Sequence, residues 1–169
     1  QTILLGIFLY LPALTLNWSD AFLLLTIHFL MTILASAYLL IVKPESIEAR
    51  MNYDSKTQPK EDRLATALMF SAIIVGLSLA PIDIFHLNLS SSFEGSIKNI
   101  GLAIYIIGML LFMASINANE FAETTVNIQE ERGQKVIDTG IYSMVRHPMY
   151  TGFIFFITGA NVWLGTYLS

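Results

Sequence analysis

There is no cysteine in the 169 residues, so the chain has no disulfide, no thiolate metal site and no cysteine nucleophile. Charge is also scarce: 13% of residues are charged and 54% are hydrophobic, where a soluble domain of this size is usually about a quarter charged. A net charge of −4, spread over loops, argues against a nucleic-acid partner. Histidine is limited to three scattered positions with no His-x-x-x-His or Glu-x-x-His spacing, which does not make a metal site. No internal repeat and no low-complexity tract is present. The first apolar run lacks a basic flank and a small-residue cleavage site, so no cleavable signal is evident.

Long apolar runs are what the chain has instead. Ile3 to Leu16 is short for a span, which usually needs about 20 residues, and Pro12 interrupts it. Asn17 to Asp20 is a tight connector: Trp18 suits an interface belt, and Ser19 or Asp20 is placed to cap the next helix. Ala21 to Val42, Leu64 to Ile82, Ile97 to Ile116 and Met149 to about Leu168 follow as further spans. The expected fold is therefore an all-α integral-membrane, multi-pass helical bundle, with about five transmembrane helices. Gly101 and Gly108 lie seven residues apart, as do Gly152 and Gly159, leaving one face of each helix thin enough for close approach.

The polar stretches differ in sign. Lys43 to Arg63 holds five of the nine basic residues, and Asn117 to His147 holds Arg132, Lys135 and Arg146. Only Lys98 falls elsewhere, at the edge of a span where a lysine can snorkel. Eight of nine on one side predicts that both loops, and the motif within the second, face the cytoplasm. Ser46 to Met51 reads as a short interfacial helix. Asp83 to Ser96 reads as a polar connector on the far side, with His86 at its surface. Glu120, Glu123, Glu130 and Glu131 read as a solvated acidic face. His28 lies inside the second span, where an ionisable residue is a functional candidate; the simpler reading is a neutral His bonded to a neighbouring helix.

The stretch Gly140-Ile-Tyr-Ser-Met-Val-Arg-His-Pro-Met-Tyr-Thr-Gly152 carries the most information. Gly140 stands where a turn with positive φ is expected. Pro148 suits the first turn of a helix, where its missing N–H has no intrahelical partner, and His147 then stands at the cap. Arg146 and His147 are thereby held at a membrane surface beside a helix N-terminus, an end that favours anionic groups. Interfacial anchoring is the plain alternative for these two and for Tyr142 and Tyr150.

This stretch resembles the signature of the isoprenylcysteine carboxyl methyltransferase family: a Gly-x-Tyr turn, then Arg-His-Pro-x-Tyr-x-Gly, with every position filled. Ile128 to Val136 and the hairpin segment Leu11 to Trp18 are similar to prokaryotic members. The resemblance implies an integral-membrane enzyme that uses S-adenosyl-L-methionine and methylates a lipophilic or prenylated acceptor, with carboxyl methylation of isoprenylcysteine as the namesake reaction. It implies cofactor contacts at Gln134, Lys135, Val136, Ile137, Tyr142, His147, Pro148, Met149 and Tyr150. Arg146 would orient the turn, and Gln129 lies near a cofactor-contacting glutamine. No catalytic base is assigned. The resemblance further implies another membrane segment and a tail beyond Ser169, which complete the cofactor pocket, so the chain reads as truncated at its C-terminus. Two other classes stay open. Membrane sterol-type reductases that use NADPH share Arg-His-Pro-x-Tyr. A non-enzymatic transporter or scaffold would show interrupted helices or paired midplane charges. The expected routes differ for the two reactants: the polar cofactor from the cytosol, the lipophilic acceptor sideways from the bilayer past Gly152.

Overall fold

The computed structural model describes residues 1–44, 47, 60–89, 93–119 and 137–166. Their regular structure is helical throughout: α1 (Thr2–Ala13), α2 (Ser19–Val42), α3 (Lys60–Ile82), α4 (Ser96–Ala118) and α5 (Pro148–Leu164). A π turn, Asp83–Leu87, continues α3, and a 3₁₀ turn, Gly140–Ser143, precedes α5. Three segments are long and apolar enough to cross a membrane: Ser19–Val42, Phe70–Leu87 and Ser96–Ala118. At 12 and 17 residues, α1 and α5 are the shorter members of the bundle.

The surface explains why the bundle needs lipid. Leu23, Phe29, Leu30, Ile33, Leu34 and Ile41 of α2 all point outward and are exposed. A water-soluble monomer rarely shows so continuous an apolar face. The interior, by contrast, contains His28, Asp83, Ser115, Asn161 and Thr166 beside the apolar core of Leu5, Leu9, Leu24, Leu77, Tyr105 and Leu164. This arrangement suits an integral-membrane helical bundle: outside, lipid replaces water, and inside, polar groups join helices by hydrogen bonds.

The tightest pair is α4 with α5, packed antiparallel on the four glycines. A Cβ added at Gly108 would lie 2.4 Å from the Phe156 nitrogen, and one at Gly159 would lie 2.2 Å from the Tyr105 nitrogen. One at Gly101 would lie 2.6 Å from the Trp163 nitrogen. Hydrogen in place of a side chain is thus what allows the two backbones to touch. Gly152 belongs to the same seam: its added Cβ would meet the Gly108 oxygen and the Phe112 nitrogen, both at 2.9 Å. The thin face of α5 thus packs on α4, because the two seven-residue glycine repeats are complementary to each other.

The end of the bundle remote from the motif corrects three expectations. Trp18 is buried, not at a headgroup belt. It packs edge-on against Tyr10 at 6.4 Å and Phe85 at 5.2 Å between ring centres. Neither Ser19 nor Asp20 caps α2; its N-cap is Trp18, with no side-chain hydrogen bond. Asp20 instead forms an ion pair with Lys98, and Lys98 also sits 5.3 Å from the centre of the Trp163 ring. Lys98 therefore has protein partners and does not simply reach for headgroups. Trp163 Nε1 donates to the Asp20 carbonyl at 2.8 Å, which ties the end of α5 to the start of α2.

The expected third span extends further than Ile82. Pro81 removes one backbone donor from the α3 ladder. The chain then widens into the π turn, closed by the Asn88 N–H donating to the Asp83 carbonyl at 2.7 Å. Asp83 is buried, not part of a solvated connector: it accepts from the Thr166 hydroxyl and from the Leu89 N–H, each at 2.8 Å. His86 is exposed, as expected, and donates from Nε2 to the Pro12 carbonyl at 2.7 Å. The fifth helix stops at Leu164, earlier than expected, because Gly165 turns the chain with φ 92°. Most of Ser46 to Met51 and all of Glu120, Glu123, Glu130 and Glu131 lie outside the described residues.

Candidate functional site

The motif folds as its residue types require. Gly140 has φ 60° and opens the 3₁₀ turn, and Ser143 Oγ donates back to the Gly140 carbonyl at 2.7 Å. The Val145 N–H donates to the Ile141 carbonyl at 3.1 Å, which brings the chain round to His147. Pro148 is the first residue of α5 and is buried, with His147 as N-cap. The His147 carbonyl accepts from both the Thr151 N–H, at 3.1 Å, and the Thr151 hydroxyl, at 3.2 Å. No side chain caps this helix end, so its first N–H groups point outward.

Around that end the structure gathers most of the expected residues. His147 and Tyr150 sit side by side with ring centres 5.9 Å apart, and both are exposed. Arg146 is exposed next to them. Met149 and Ile137 are half-buried. Tyr142 is half-buried too, and its hydroxyl accepts from Asn119 Nδ2 at 3.4 Å, which ties the turn to the end of α4. Gln129, Gln134, Lys135 and Val136 lie outside the described residues.

Several residues at this end had no role assigned from sequence. The Lys43 ammonium donates to the Asn117 carbonyl, and Tyr38 donates to Asn117 Oδ1 at 3.4 Å. These contacts hold the C-terminal ends of α2 and α4 together beneath the motif. Polar residues just past an apolar run are the available signal, but their partners are 74 and 79 residues away in the chain.

The larger omission is a cavity of about 360 Å³ that runs inward from the motif. Met149, Tyr150 and Gly152 line it at the motif end, and Phe8, Phe70 and Phe156 line it from α1, α3 and α5. Its walls are almost wholly apolar, and its volume lies within the range of small-molecule sites. His28 also lines it. The histidine is buried, with Nδ1 2.7 Å from the hydroxyl of fully buried Tyr105. This bears out the simpler reading of His28 as bonded to a neighbouring helix. Tyr105 is legible in hindsight: a tyrosine in mid-span must find a partner for its hydroxyl.

A family model matches the same part of the chain. Residues 97–169 match the family model described as phospholipid methyltransferase. The chain is 35% identical over 69 residues to protein-S-isoprenylcysteine O-methyltransferase B of Arabidopsis thaliana, covering 40% of this chain and 35% of that protein. It is 32% identical over 74 residues to a probable protein-S-isoprenylcysteine O-methyltransferase of Oryza sativa subsp. indica, covering 43% of this chain and 39% of that one. The matches thus span little more than a third of the curated relatives. The family model covers α4, α5 and the Arg-His-Pro-x-Tyr-x-Gly run, and the relatives' names agree with the resemblance read from that run. No solved structure matches the chain.

Proposed function

We propose that the chain is the membrane-embedded part of an S-adenosyl-L-methionine-dependent methyltransferase whose acceptor is lipophilic. The observation that carries this reading is the apolar cavity that reaches the motif at Met149 and Tyr150. A site that joins a water-facing helix end to a greasy chamber suits one polar and one apolar reactant. The residues present fit the cofactor. When bound, it supplies an electrophilic methyl group on a sulfonium sulfur. The faces of Tyr150 and His147 attract such a cation. The uncapped N-terminus of α5, with Arg146 beside it, attracts the cofactor's carboxylate. The resemblance puts the adenine contacts at Gln134 to Ile137, of which Ile137 lies among the described residues.

The protein's own contribution is positioning and exclusion of water. A carboxylate acceptor is already ionised at neutral pH, so no general base is needed. Methyl transfer then merges a cation with an anion, and a dry chamber favours that loss of charge where fixed dipoles replace water. Holding the two reactants in line supplies the rest. Carboxyl methylation of an isoprenylcysteine-like acceptor is the finer form of this reading, drawn from the relatives' names.

The test uses the full natural protein in lipid nanodiscs. Equilibrium binding is measured for S-adenosyl-L-methionine and for NADPH, and label from the methyl donor is followed into a farnesylated cysteine analogue and a short water-soluble thioether acid. Binding of the methyl donor and labelling of the farnesylated probe are expected. Binding of NADPH alone would replace the methyltransferase reading with the reductase one.

A further inference from the structure

His28 has a second ring nitrogen, and it is the unusual atom of the cavity. Nδ1 is engaged by Tyr105 at 2.7 Å. Among the described residues Nε2 has no hydrogen-bond partner, yet it is not among the fully enclosed unpartnered atoms, of which Asn161 Oδ1 is the one found. His28 lines the cavity, so Nε2, the ring nitrogen that Tyr105 does not engage, is the one available to a ligand there.

The direction of the buried bond decides what Nε2 offers. Tyr105 is fully buried, and among the described residues its hydroxyl has no partner other than His28. A phenol hydrogen aimed elsewhere would go unbonded in an apolar core, so the hydroxyl donates and Nδ1 accepts. A neutral imidazole that accepts at Nδ1 carries its hydrogen on Nε2. Apart from Gln1 and the motif's Tyr150, the cavity has apolar walls, and His28 adds a hydrogen-bond donor to them.

We infer that the cavity selects a single-chain lipophile with an oxygen acceptor (ketone, ester or ether) inside its chain, and that His28 Nε2–H is the specificity-determining group that reads it. The inference rests on the cavity's being the acceptor chamber of the proposed methyltransferase. A plain hydrocarbon would leave the donor unbonded and would be bound less well. The distance is set by the helices. Phe156 packs against His28 with ring centres 5.8 Å apart. It lies six residues along α5 from Tyr150, or roughly 9 Å at the helical rise. The oxygen belongs roughly that far from the end that reacts at the motif.

The experiment measures binding without any methyl donor. Full-length protein in nanodiscs is loaded with a fluorescent straight-chain carboxylic acid. Straight-chain probes with a ketone at successive positions, and one with none, then compete for the site. Affinity is expected to peak at one ketone position, roughly fivefold above the plain chain, as for one added hydrogen bond. In His28→Leu the peak should vanish, so that ketone and plain-chain probes bind alike. A flat profile in the natural protein overturns the inference whether or not the variant folds, and so does a peak that survives in His28→Leu. If no acceptor is methylated but the profile is peaked, the methyltransferase reading falls and the donor-lined chamber stands. Methylation with a flat profile gives the reverse.

Discussion

At the scale of the residue, the motif was the legible part. Positive φ at Gly140 and Pro148 at the first helical position are local requirements of the backbone, met within a few residues of chain. The same locality leads to a prediction for the exposed pair His147 and Tyr150. Neither packs into the core, so His147→Ala and Tyr150→Ala should leave the folded yield nearly unchanged. Each removes an aromatic face from the cofactor's cation, an interaction of about 0.5–2 kcal/mol, so affinity for S-adenosyl-L-methionine should fall by roughly two- to thirtyfold. Calorimetric titration of the full-length variants, with gel filtration to measure yield, checks both halves. Equal losses of yield and affinity would instead make the pair a structural anchor. Trp18, Lys98 and Asp83 were misread from sequence for the opposite reason. Their environments are set by Phe85, Asp20 and Thr166, which are distant in the chain, and local patterning carries no record of such pairings.

At the scale of the element, spans and their junctions could be read from apolar runs, but packing partners could not. The glycine repeats are the exception, because a face without side chains has few uses other than close contact. The repeats announced a contact, and the structure shows that they make it with each other. Substitution should therefore depend sharply on position. A Cβ at Gly159 would fall 2.2 Å from the backbone nitrogen of Tyr105, and backbone cannot rotate away. Gly159→Ala should separate α4 from α5 and destabilise the protein by about 1–3 kcal/mol, as overpacking does. Gly76 lies in α3 with nothing within 4 Å of its added Cβ, so Gly76→Ala should be neutral or raise stability by up to about 1 kcal/mol. Unfolding in detergent, followed by circular dichroism, compares the two. Similar melting temperatures for both variants would contradict the tight α4–α5 seam.

At the scale of the whole molecule, the remaining question is which way the bundle faces, and the charges give an answer that can be tested. Helix connectivity brings the end of α2, the end of α4 and the start of α5 together, as the Lys43–Asn117 and Asn119–Tyr142 contacts record. The two basic loops therefore adjoin one end of the bundle. The opposite end has Lys98, but that charge is paired with Asp20 and lies against the Trp163 ring. The basic asymmetry between the two ends is the count of eight against one. Short loops rich in Lys and Arg stay on the cytoplasmic side, so the motif end should face the cytosol. The absence of cysteine makes single-cysteine labelling direct. Glu94→Cys, beside the start of α4, should react with a membrane-impermeant maleimide added to intact cells. Lys56→Cys and Arg132→Cys should react only after the membrane is opened. A cytosolic cofactor could not reach Tyr150 from the other face, so labelling of both loops from outside would overturn the topology and, with it, the delivery of the methyl donor to the motif.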